Sequence, residues 1–152
     1  MSIDFYAILA HDTWPTTIAV EKCLANQHFP VLIKRFPVFA PAKVVTNGAL
    51  VTVDGKDAYL EGELYPASLA PADVADINER IGNAGGTFRI APNDIVISMR
   101  TRTPAEARAA TYTIASLIIC FDAYGFEPQG NTHGRGHFAK SLVAGAETLK
   151  GL

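Results

Sequence analysis

Cysteine, charge and long apolar runs are all scarce in this chain, and each shortage excludes a class of protein. Two cysteines, Cys23 and Cys120, are too few for the disulfide framework of a small secreted scaffold. Both lie in apolar stretches with helical spacing, where a thiol behaves as a small hydrophobe. A bond between them is geometrically open, with nothing local to support it. The main apolar runs, Phe5–Ala10 and Ile114–Phe121, fall well short of the roughly 20 residues of a membrane span. The opening Met1-Ser2-Ile3-Asp4-Phe5 lacks the basic flank of a secretory signal. These shortages point to a cytoplasmic protein with no membrane partner. A net charge of −2 argues against nucleic acid as a partner, because neutralising phosphates needs a surplus of basic groups.

What is present suits one globular domain covering 1–152. A chain of 152 residues buries about 68–70% of its unfolded surface, so no metal or crosslink is required to hold it. Apolar residues make up 49%, with eight phenylalanines, five tyrosines and one tryptophan, a composition that excludes disorder.

The clearest local signal is Val51-Thr52-Val53-Asp54-Gly55-Lys56-Asp57-Ala58. Asp-Gly between alternating runs predicts a type I′ hairpin turn, since both central residues need positive φ. Counting outward pairs Val53 with Lys56 and Val51 with Ala58. Ile3–Ala10 reads as a covered strand, followed by a helix to about Gln27 capped by Asp12 or Thr13, with Pro15 in its first turn. Val31–Phe36 reads as a strand bounded by Pro30 and Pro37. Pro71 opens a helix with Val74, Ile77 and Ile81 as its stripe, closed by Gly82. Phe88 and Ile90 alternate like a short strand, and Ile95–Met99 reads as another.

Thr103-Pro104-Ala105-Glu106 is a capping box with proline at the first helical position. Ala107, Ala110, Ile114, Leu117, Ile118 and Phe121 then form the stripe of the longest helix, which Gly125 is placed to stop. Pro128 to Gly136 reads as a loop. A last helix near Phe138–Lys150 puts Phe138, Leu142, Gly145 and Leu149 on one face. This order predicts an α+β fold, a mainly antiparallel sheet with helices packed on one face, ferredoxin-like or an elaboration of it.

Charge is unevenly spread. Between Thr46 and Arg80, seven acids (Asp54, Asp57, Glu61, Glu63, Asp73, Asp76, Glu79) face two bases (Lys56, Arg80). That segment carries −5, which leaves +3 for the rest of a chain at −2. Such asymmetry can steer a protein partner or order like surfaces in self-association.

One loop stands out chemically: Gln129-Gly130-Asn131-Thr132-His133-Gly134-Arg135-Gly136-His137. Gly130, Gly134 and Gly136 let backbone approach a ligand, and the loop leads into a helix N-terminus that favours anions. Arg135 adds a bidentate donor, while His133 and His137 add hydrogen bonds or charge. The spacing matches neither the P-loop nor the dinucleotide fingerprint. His133 and His137 have the spacing of helical zinc ligands, but intervening glycines oppose a helix. His11 and Asp12 are the plausible remote ligands, too distant in sequence to define a metal site. Arg100 and Arg102, two apart at a strand end, share a face and are secondary anion candidates, with pairing to Asp94, Glu106 or the acidic hairpin as the structural alternative. No nucleophile elbow is present, and no cofactor or metal is called for. The expectation is a binding or interaction module without evident catalytic machinery, joined to a protein partner or itself. The alternative is an anion-binding protein or enzyme using loop 129–137.

Overall fold

A computed structural model describes residues 2–152. In chain order the elements are β1 (Ile3–Leu9), α1 (Thr17–Asn26), β2 (Val31–Arg35), β3 (Ala49–Val53), β4 (Lys56–Leu60), β5 (Leu64–Pro66), a 3-10 turn (Ala67–Leu69), α2 (Pro71–Asn83), β6 (Ile95–Thr101), α3 (Pro104–Phe121), β7 (Tyr124–Glu127), β8 (Thr132–Gly134) and α4 (Gly136–Thr148). The fold is α+β. One antiparallel sheet runs β5-β6-β1-β7-β8 and a second runs β2-β3-β4.

The first hairpin forms in the expected register. Val53 pairs with Lys56 and Val51 with Ala58, and the turn residues Asp54 and Gly55 have φ of 52° and 79°. The strand after it then changes sheets. Gly62 makes the crossing possible, because a Cβ there would stand 1.8 Å from the Ser98 carbonyl oxygen. Glu61 still bridges to Arg100, and β5 continues along β6. This division into two sheets does not reproduce a ferredoxin-like arrangement.

Helix α3 is the centre of the molecule. Every residue from Ala107 to Ile118 is buried, as expected for a helix enclosed on all sides. Its hydroxyls are satisfied internally, with Thr111 and Thr113 donating to the carbonyls of Ala107 and Ala109. Thr103 caps the helix, accepting from the Glu106 amide at 3.1 Å, while the Glu106 carboxylate reaches past the cap to the Arg102 amide at 2.8 Å. The helix stops at Asp122 in the left-handed conformation (φ 57°), earlier than Gly125. Gly125 instead lies in β7, where its missing side chain admits the Phe138 ring.

Helices occupy both faces of the larger sheet. Phe5, Ala7, Leu9, Ile95, Ile97 and Met99 face α3 and α4. Ile8, Val96, Tyr124 and Phe126 face Ile77 and Ile81 of α2. Phe88 and Ile90 form no strand, because the Ile90 amide donates to the Asn78 side chain at 2.8 Å and the segment is drawn onto α2. Likewise α1 starts later than Asp12 or Thr13 would set it. Thr16 is its cap, accepting from Ala19 N at 3.1 Å.

Two long-range ties close the fold. Cys23 of α1 and Cys120 of α3 are joined by a disulfide, with Cα atoms 6.3 Å apart across 97 residues of sequence. The buried Arg108 grips Asp54 in the hairpin turn with two hydrogen bonds of 2.8 and 3.1 Å. Its remaining nitrogen donates to the Ala146 carbonyl of α4 at 2.7 Å and to the Tyr112 hydroxyl at 3.2 Å. Tyr112 in turn donates to Glu147 at 2.7 Å, and burial followed by that bond pushes its phenol up to about 12.

Candidate functional site

The segment 128–136 is more ordered than turn composition suggests. Thr132–Gly134 pairs with β7 as an edge strand, with His133 opposite Phe126. The turn before it is organised by Glu127, whose carboxylate accepts from Gln129 N at 2.8 Å and Gly130 N at 2.6 Å. Gly134 has φ of 137°, a conformation that favours glycine. Arg135 then stands at the N-cap of α4, where no side chain caps the first turn.

This geometry divides the loop residues between the two faces of the sheet. His133 points to the α2 side, where its Nδ1 and the Tyr124 hydroxyl share a 2.6 Å hydrogen bond. A Cβ on Gly86 would meet that imidazole, so glycine makes room for the ring. Tyr124 stacks on Phe88 with centroids 4.0 Å apart. Arg135 lies over both rings, 5.2 Å from Tyr124 and 5.5 Å from Phe88. Its Nε also reaches an Asp122 carboxylate oxygen at 3.2 Å. Burial raises the Tyr124 phenol above its ordinary value, and Arg135 and Arg89 oppose that shift. His133 and Arg135 therefore share one aromatic cluster, each already partnered.

The other face opens into a groove of about 950 Å³ between the β7–β8 turn and α4. Its floor is Ile3 and Phe5 of β1, Ala107 of α3, and Phe138, Leu142 and Leu149 of α4. Its rim carries Gln129, Gly130, Asn131 and Thr132 from the turn, with His137 and Ser141 from α4. An apolar floor with a few polar groups at the edge, in a volume of this size, is the usual form of a small-molecule site. His137 is exposed at the mouth. Gly136 begins α4 without lining the groove.

The secondary candidates lie elsewhere. Arg100 binds Asp4 with contacts of 2.9 and 3.4 Å, and Arg102 pairs with Glu61. These hydrogen bonds raise both arginines and hold Glu61 below the usual glutamate range. Glu106 accepts from the Arg102 amide at 2.8 Å. His11 contacts Asp12 at 3.1 Å, both exposed. Among the described residues no group of three His, Cys, Asp or Glu side chains could hold a metal ion.

Reading the sequence missed Ile3, Phe5 and Thr111 as groove residues and Tyr124 as the partner of His133. The α4 stripe Phe138–Leu142–Gly145–Leu149 was the signal available, and all four of its residues line the groove. No family model, curated protein or solved structure matches the chain.

Proposed function

We propose that the chain is a binding module without catalytic machinery of its own, and that its ligand occupies the groove between the β7–β8 turn and α4. The observation that carries this reading is the apolar floor of a 950 Å³ groove bordered by the turn and helix start that the sequence singles out. Its one carboxylate, Glu127, is engaged by two amides of its own turn, a role in holding the turn rather than in general-base chemistry.

An anionic ligand at the start of α4 is the second reading, favoured by the uncapped first turn. Against it, Arg135 lies outside the groove and is partnered. A protein partner attracted by charge has lost support. Four of the seven acids between Thr46 and Arg80 are paired within the chain: Asp54, Asp57, Glu61 and Asp76. The setting is also better read as one that oxidises thiols than as the cytosol, because the Cys23–Cys120 disulfide is a bond that persists in oxidising compartments. Among the described residues no helix is long and apolar enough to cross a membrane.

The test is a fluorescence titration with N-phenyl-1-naphthylamine, a neutral dye that brightens in apolar sites. The reading predicts saturable uptake of one dye per chain, lost in Gly145→Phe while the circular dichroism stays that of the parent. Uptake that never saturates, or that the substitution leaves unchanged, contradicts it.

A further inference from the structure

The geometry points to a ligand class for this groove: an uncharged, chain-like amphiphile, whose tail lies on the apolar floor and whose hydrogen-bonding head meets the rim. This rests on the groove being the binding site.

The first observation is Gly145. Glycine inside a helix costs stability relative to alanine, so a helical glycine ordinarily answers to a close contact. Gly82 of α2 does, the Arg89 guanidinium standing 2.6 Å from where its Cβ would be. Gly145 does not. It lies within α4, a Cβ there would meet nothing within 4 Å, and its backbone φ is not in the left-handed region. It also lines the groove, midway along the stripe that includes Leu142 and Leu149. A residue that departs from local preference with no packing reason marks a place where something other than folding set the choice. What its absent side chain does is leave the groove open along its length.

The second observation is charge. A buried ionic ligand needs a counter-charge or several free donors. The groove gives an anion no counter-charge, since no lysine or arginine lines it. Glu127 is the one carboxylate on its wall, and both of its oxygens already accept backbone amides. The guanidinium nearest in sequence, Arg135, is held by Asp122 and by the Tyr124 and Phe88 rings beyond the sheet. An anion in the groove would lie beside a carboxylate with no lysine or arginine to offset it, and a cation would have for counter-charge only this one carboxylate, whose oxygens are held by the amides of their own turn. What remains for a head group is hydrogen bonding, from the Asn131 amide, the Thr132 and Ser141 hydroxyls and the His137 ring. Complementarity therefore selects an alcohol, ester or amide head over a carboxylate, phosphate or ammonium.

Competition for bound N-phenyl-1-naphthylamine at neutral pH tests the class, with 1-dodecanol, dodecanoate, dodecylammonium and inorganic phosphate as displacers. Dodecanol should displace the dye at a concentration about tenfold or more below that of either charged chain, and phosphate should displace none. Gly145→Phe should abolish dye uptake while its circular dichroism and urea midpoint stay those of the parent, which guards against misfolding. If dodecanoate competes as well as dodecanol, or phosphate releases the dye, the class is wrong while the groove remains a binding site. If dye uptake is absent or indifferent to residue 145, both the class and the site fall together.

Discussion

The two hairpins of this fold use a carboxylate at the turn in opposite ways. In β3–β4, Asp54 reaches across the molecule to Arg108, whose side chain is only 4% exposed, and through it the turn is fixed to α3 and α4. In β7–β8, Glu127 turns back onto the amides of its own turn and onto the Thr132 hydroxyl of β8. The first hairpin is thereby locked onto the core. The second is held to β1 and the residue before it by longer contacts, Gln129 accepting from Asp4 N at 3.4 Å and donating to the Ser2 carbonyl at 3.5 Å, and the space between it and α4 stays open. A turn acid spent on a distant cation builds stability, whereas one spent on its own backbone leaves neighbouring surface free to bind.

The sharpest way to break that comparison is at Arg108. Arg108→Ala removes one member of a buried network and leaves Asp54, Tyr112 and the Ala146 carbonyl short of a donor. Each buried group so left without its partner costs about 1–3 kcal/mol, the sum measured by urea unfolding, and dye uptake by any chain that remains folded should persist. Next comes the crosslink. Replacing both Cys23 and Cys120 by alanine frees a loop of 97 residues in the unfolded chain, which costs about 2–4 kcal/mol. The intact protein should show no thiol to alkylation until reduced.

A smaller effect follows from acid. The hydrogen bond from Arg108 holds the Asp54 carboxyl below its ordinary value of 3.8, so the unfolded chain binds that proton more readily. The contribution is in full force above that value and is lost as pH falls through the folded one. With the carboxylate 36% exposed, solvent screening limits it to about 1 kcal/mol. Asp54→Asn should therefore narrow its deficit against the parent as pH drops below 3.8, in parallel urea titrations. The smallest effect has the opposite sign. Gly145→Ala should stabilise the fold by about 0.5–1 kcal/mol, seen as a raised melting temperature. A loss there would mean that Gly145 serves packing after all.

The first hairpin was legible because Asp-Gly between alternating residues specifies turn and register together. The cap at Thr103 and the apolar stripe of α4 were legible for the same reason, being local and periodic. Arg108 was not. It sits in the middle of an apolar helix, and its partner lies 54 residues away, a separation at which sequence carries no pairing signal. The β7–β8 hairpin was hidden differently. Its residues at 125 and 134 are glycines, placed opposite one another in the register, and they erase the alternation that would have marked two strands. Loop 129–137 was singled out as a unit. In the fold a single strand sends His133 to one face while the turn and helix beside it form the groove on the other.

The central claim is that the groove beside β7–β8 is where this protein meets its ligand. A proton–nitrogen NMR titration with 1-dodecanol reports it most directly. The account predicts saturating amide shifts at Phe5, Gly130, Thr132, Leu142 and Gly145, with Asp54 and Arg108 unmoved. Shifts concentrated instead at Tyr124 and Arg135, or around the Trp14–Val38 depression, would contradict it.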